Sequence, residues 1–214
     1  RFNPGGYLER GDLNALNLAL IASAGGTLGD PGAPETLIAE ADRSILEGFT
    51  LPWPGAYPIW GLKDPRFCAT LKLWVDAGAL KATSFRIVRV HRRVDSIIRS
   101  SIEHPSVQKF CEGDPSRTRA MVETYINCAD WQVRALGFPC FQLAYERLVD
   151  RPAEEISRLA DWLELRDRRA IQRAARLIGK QSALRRFYLQ RAISLPARAL
   201  RKAGRLARRF SFLA

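Results

Sequence analysis

Ser84-Phe85-Arg86-Ile87-Val88-Arg89-Val90 runs into His91-Arg92-Arg93-Val94-Asp95 and then into Ser96-Ile97-Ile98-Arg99-Ser100-Ser101-Ile102. The first stretch is rich in β-branched residues and predicts a strand over 84–90. The last is apolar at helical spacing and predicts a helix with Asp95 as its N-cap. Arg92 therefore stands where a strand gives way to a helix N-terminus. Open parallel α/β sheets bind anions at such junctions, because spare backbone N–H groups and the helix dipole both favour negative charge. A guanidinium adds a planar fork matched to phosphate. Ser100 falls in the second helical turn, and helical side chains lean back toward the N-terminus. Arg92 and Ser100 are thus expected to converge on one phosphate. Taken singly, each has an ordinary alternative, a solvated arginine and a surface serine.

Working outward, the pattern alternates. Leu13, Leu16, Leu20 and Ile21 at helical spacing predict a helix over 11–23, and a Gly/Pro-rich loop follows to Pro34. A second helix is expected over 34–49, and three prolines break residues 51–58. A short strand over 57–62 would end at Lys63, and a helix over 67–80 would feed the 84–90 strand. Residues 104–116 read as a polar connection. Residues 117–136 read as a long helix stopped by Gly137. A strand over 138–145 and a helix over 152–163, opened by Pro152, complete the body. Strands alternating with helices argue for an α/β fold, a three-layer parallel sheet flanked by helices. That gives an α/β domain over 1–165 and a basic helical tail over 166–214.

The charge divides the same way. Residues 166–214 carry 15 Lys and Arg against the single acid Asp167. This leaves 19 basic and 21 acidic residues in 1–165, so the formal net +12 belongs entirely to the tail. A near-neutral body gives no support to a nucleic-acid-binding core. Past Pro196, Leu200, Leu206, Phe210 and Leu213 share a face opposite most of the arginines. That pattern suits peripheral contact of 196–214 with an anionic membrane surface, an acidic glycan or another subunit; a solvated tail is the plain alternative. Cys68, Cys111, Cys128 and Cys140 form no C-x-x-C pair and read as reduced core thiols rather than a zinc site. No stretch is apolar for long enough to span a bilayer. A cytoplasmic protein, peripheral at the inner membrane surface, is the expectation.

Two further landmarks flank the Arg92/Ser100 element. Trp60-Gly61-Leu62-Lys63-Asp64-Pro65-Arg66-Phe67 lies upstream. Phe141-Gln142-Leu143-Ala144-Tyr145-Glu146-Arg147-Leu148 lies downstream, followed by Trp162-Leu163-Glu164-Leu165. In this order, and with the opening Asn3-Pro4-Gly5-Gly6-Tyr7-Leu8-Glu9, residues 1–165 resemble the bacterial branch of the sulfotransferases. These enzymes move a sulfuryl group from 3′-phosphoadenosine 5′-phosphosulfate (PAPS) to a hydroxyl or amine. The resemblance implies a P-loop NTPase-like fold, with Arg92 and Ser100 on the 3′-phosphate of PAPS. It implies Lys63, in a Lys-x-Pro context, beside the transferred group, and Tyr145-Glu146-Arg147-Leu148 as a strand. Arg93 and Val94 depart from the residues that usually follow such an arginine. The family's Gly-rich phosphosulfate loop has no match. Gly25-Gly26-Thr27-Leu28-Gly29-Asp30 lacks its basic residue, and Gly179-Lys180-Gln181-Ser182 has Ala174 where the first glycine belongs. The expectation is a fragment that lost its first strand and loop upstream of Arg1, inactive and prone to aggregate by itself. The alternative is a protein that never had the loop.

Sulfuryl transfer requires nucleophile and leaving group in line and a cation on the bridging oxygen. Lys63 suits that cation, although pairing with Asp64 would serve equally well as a structural role. A base must take the acceptor's proton. The resemblance points to Glu9, with Asp64 as the second candidate, and either carboxylate could be a plain surface group. Arg66 would bind the acceptor or the 5′ side of the nucleotide, or brace the loop. No metal is called for. The acceptor is a small molecule, a glycan or a lipid. Two other functions compete: a P-loop kinase-like small-molecule phosphotransferase, and a non-catalytic module recruited by its tail.

Overall fold

The computed structural model describes residues 10–50, 60–80, 85–102 and 104–178, and within them the chain is mixed α/β with helices dominant. It divides into two compact units. A helical unit comprises Leu8–Phe85 and Arg93–Pro139, and a strand unit comprises Arg86–Arg92 with the chain from Cys140 onward.

The helical unit holds α1 (Gly11–Ser23), α2 (Pro34–Glu40), a 3-10 turn (Arg43–Leu46), α3 (Phe67–Asp76), α4 (Val94–Ile102), α5 (Pro105–Cys111) and α6 (Pro115–Leu136). The longest of these, α6, is the spine; α2, α3, α4 and α5 all pack on it. Its ends are written locally. Asp114 caps the start, its carboxylate accepting from the backbone N–H of Ser116 at 2.7 Å, and Pro115 occupies the first turn. Gly137 closes it in the left-handed region at φ 63°.

Two apolar clusters meet along this spine. Leu13, Leu20, Ile21, Leu37, Leu73, Trp74 and Cys128 form the larger one. Ile98, Cys111, Met121 and Val122 form the smaller, and Tyr125 packs against both. Each buried aliphatic contributes about 1.5–3 kcal/mol relative to exposure. Trp74 is fully buried, with the rings of Phe49 and Phe67 edge-on at 4.9 and 5.7 Å.

The strand unit holds β1 (Ile87–His91), β2 (Cys140–Ala144), α7 (Tyr145–Asp150) and α8 (Pro152–Trp162), and residues 168–178 are helical (α9). β1 and β2 are parallel, as the alternation of elements predicts, in register from Ile87 opposite Cys140 to His91 opposite Ala144. A column of side chains ties β2 to α8. Arg158 lies over Phe141, Phe141 meets Trp162 at 5.4 Å, and Arg86 lies over Trp162. Glu155, at 1% exposure, is clamped between Arg147 at 2.8 Å and Arg158 at 2.9 Å.

Several expectations are corrected. Among the described residues the sheet has two parallel strands. The expected strand over 57–62 does not appear in its described part. Trp60 and Leu62 sit in irregular backbone because both pack against the larger helical cluster. Residues 57–59 lie outside the described residues. The helix expected over 34–49 breaks at Ala41, where ψ is 135°. There the Asp42 carboxylate accepts from Ser44 N and Ser44 Oγ, a local alternative to helical bonding. Tyr145-Glu146-Arg147-Leu148 is helical, not a strand, so β2 stops at Ala144. The polar connection over 104–116 contains α5. Asp95 is not a cap; α4 starts at Val94, and the Asp95 carboxylate takes Arg119 at 2.7 Å. Among the described residues no helix is long and apolar enough to cross a membrane.

Candidate functional site

The C-terminal ends of β1 and β2 define the site. Parallel strands bring their carboxyl ends to one edge, and ligands of open α/β sheets bind there. His91 and Ala144 form the last pair of the ladder, so Arg92 and Tyr145 are the next residues on neighbouring strands. Their side chains meet: the Arg92 guanidinium carbon lies 4.8 Å from the centre of the Tyr145 ring. Such a stack contributes about 0.5–1 kcal/mol at a partly exposed site. Anions are bound through the N–H edge of a guanidinium, which contact of its carbon with a ring does not itself occupy. Tyr145 enters the sequence reading only as a strand hallmark. Its place beside Arg92 comes from the register of the two strands, and no local signal carries that register.

The other candidate residues fall as follows. Ser100 is exposed in the second turn of α4, in the helical unit, where its hydroxyl donates to the Ile97 carbonyl at 2.9 Å. Lys63 is exposed on the irregular segment that leads into α3, not at a strand end. Asp64 and Arg66, close by, are buried at 6% and 9% exposure. The Asp64 carboxylate accepts from the Arg66 backbone N–H at 2.8 Å and lies 3.0 Å from Arg66 Nε. A carboxylate so enclosed holds the turn that opens α3, and Arg66 balances its charge. Of the roles expected for these two residues, this geometry favours bracing the loop. Glu9 lies outside the described residues.

A polar cluster behind Arg66 escapes the sequence reading. Asn17, fully buried in α1, accepts from Thr70 Oγ1 at 2.6 Å and from Trp74 Nε1 at 2.7 Å. The Arg66 carbonyl, 3.1 Å from Thr70 Oγ1, is a second acceptor within reach of the same hydroxyl proton. Gln132, in α6, reaches α3 with both ends of its amide, donating to the Ala69 carbonyl and accepting from Lys72 N. Asn17 lies four residues from Leu13 and from Ile21, so helical periodicity alone places it inward. Tyr125 donates to the Leu28 carbonyl at 3.2 Å, and burial holds its hydroxyl well above the usual phenol range. These residues join α1, α3 and α6; they are the frame on which the Lys63 segment is mounted.

Among the described residues no three His, Cys, Asp or Glu side chains group as metal ligands. The chain matches no protein-family model, no curated protein and no solved structure.

Proposed function

We propose that this protein is a PAPS-dependent sulfotransferase, with Arg92 as the residue that binds the donor's 3′-phosphate. The observation that carries the reading is Arg92 at the shared carboxyl edge of two parallel strands, its guanidinium laid on Tyr145. A guanidinium beside strand ends suits a phosphate monoester, which takes two parallel N–H donors. The sequence resemblance assigns Ser100 as the second ligand. It also assigns Lys63 to the bridging oxygen and Glu9 to the acceptor's proton.

In the proposed reaction an acceptor oxygen attacks sulfur as the bond from sulfur to the bridging oxygen breaks. Adenosine 3′,5′-bisphosphate leaves with the bridging electrons. The Lys63 ammonium offsets the charge growing on that oxygen, and Glu9 takes the proton the acceptor loses. Asp64 and Arg66 hold the Lys63 segment and do no chemistry. The acceptor class stays that of the sequence reading: small molecule, glycan or lipid.

The experiment is thermal denaturation of the full-length gene product with adenosine 3′,5′-bisphosphate. At a hundred times the dissociation constant, binding adds about 2.7 kcal/mol and raises Tm by several degrees. Arg92→Ala abolishes the shift, whereas Lys63→Ala keeps it and loses sulfuryl transfer. A shift of the same size in Arg92→Ala overturns the assignment. An absolute requirement for Mg²⁺ would favour a kinase-like phosphotransferase instead.

A further inference from the structure

Two sets of arginines in the strand unit contrast. Arg86, Arg147 and Arg158 each pair with a glutamate and pack against α8 or its end. Arg168, Arg169, Arg173 and Arg176 do not: all four are exposed on α9, and none has an ion pair among the described residues. The one acid near them is already used. Asp167 caps α9, its carboxylate accepting from the Ala170 backbone N–H at 2.9 Å. The helix is two-sided. Ala170, Ile171, Ala175 and Ile178 are half-buried, while Arg169, Arg173 and Arg176 recur at i, i+4 and i+7 on the outer face. Leu177 stands on the flank of that stripe at 61% exposure.

We infer that the outer face of α9 is a docking surface for an anionic lipid bilayer. Three unneutralised guanidinium groups in line complement a negative surface, and their attraction acts within a Debye length of it. The exposed Leu177 beside them decides between anionic partners. A bilayer takes an apolar side chain into the boundary beneath its headgroups, whereas a nucleic-acid backbone offers it nothing. The sequence continues the same mixture. Residues 179–214 add ten further Lys and Arg with no acid, interleaved with Phe187, Tyr188, Leu189, Phe210, Phe212 and Leu213. Residues 1–165 carry 19 basic against 21 acidic groups, so the net positive charge of the chain lies at this end. The inference is independent of the donor chemistry proposed above.

The test is sedimentation of the full chain with large unilamellar vesicles, either pure phosphatidylcholine or with 30% phosphatidylserine (about the anionic fraction that polybasic segments respond to). Binding is expected to the anionic vesicles only and to weaken steeply at 0.5 M salt. Each arginine near the surface is worth about fivefold in affinity, so Arg169→Gln/Arg173→Gln/Arg176→Gln lowers it by about a hundredfold at low salt. Leu177→Ser lowers it further. All four positions are exposed, so far-ultraviolet circular dichroism of the variants should match the parent. Equal binding to neutral vesicles, or parent-like affinity in the triple variant, overturns the inference. So does full displacement by duplex DNA together with an unchanged Leu177→Ser.

Discussion

At the scale of single residues, the protein is held most tightly where polar groups are buried in pairs. Asn17 is the sharpest case. Its carbonyl oxygen serves two donors that have no water to turn to, Thr70 Oγ1 and Trp74 Nε1. Removing the acceptor strands the Trp74 Nε1 donor, while the Thr70 hydroxyl keeps the Arg66 carbonyl at 3.1 Å, and a buried unsatisfied group costs about 1–3 kcal/mol. Asn17→Ala is therefore expected to lower stability by about 1–3 kcal/mol, read as the urea midpoint at constant slope. Asn17→Asp keeps an acceptor for both donors but buries a charge, so it also destabilises. A loss under about 0.5 kcal/mol in Asn17→Ala, the size of an ordinary surface change, would mean that this polar pairing does not support the core. Residue identity told less about Asp64. Its type made it a candidate base, and its burial against Arg66 makes it a brace. A carboxylate's role depends on what surrounds it, and here the surroundings are tertiary.

At the scale of elements, the glycine stop of the longest helix was legible in the sequence. Gly137 stops α6 as expected, whereas its start, Pro115 capped by Asp114, lies two residues before the expected Arg117. Gly137 sits at φ 63° with open space around its missing Cβ, so substitution there is felt by the backbone alone. Gly137→Ala is expected to cost about 1–2 kcal/mol, and Gly137→Asn less, since asparagine tolerates the left-handed region. Chemical denaturation of the two variants checks the order. An alanine variant as stable as the parent would place the end of α6 elsewhere. Elements shaped by packing or by a competing side-chain bond were misread. The 34–49 stretch has helical spacing throughout, yet Asp42 turns its own carboxylate onto Ser44 and breaks it. The 57–62 stretch looks strand-like, yet its described residues Trp60 and Leu62 are drawn onto a helical cluster. Tyr145 and Leu148 suit a strand by type, but β2 loses its partner once β1 ends at His91, and the chain turns helical.

At the scale of the whole molecule, stability should fall at alkaline pH. Cys128 is fully buried, and burial pushes its thiol up to about 11. In the unfolded chain the same thiol titrates near 8.5. Below that value both states hold the proton and the contribution is complete. Between there and about 11 the unfolded state alone releases it, so folding weakens as pH rises. Tyr125, also raised by burial, acts in the same direction at still higher pH. Urea midpoints from pH 8 to 10.5 are expected to fall more steeply in the parent than in Cys128→Ala; parallel slopes would remove Cys128 from the account. What the sequence determined by itself was local: the Gly137 stop of α6, the inward stripe of α1, Arg92 at the close of a strand and the basic end of the chain. Each follows from spacing and capping among near neighbours. What only the tertiary structure decided was pairing at a distance: the register that lays Arg92 on Tyr145, the enclosure of Asp64 and the joining of Asn17 to α3. Those depend on which apolar faces meet, and burial of side chains far apart in the chain has no signature in any short stretch of it.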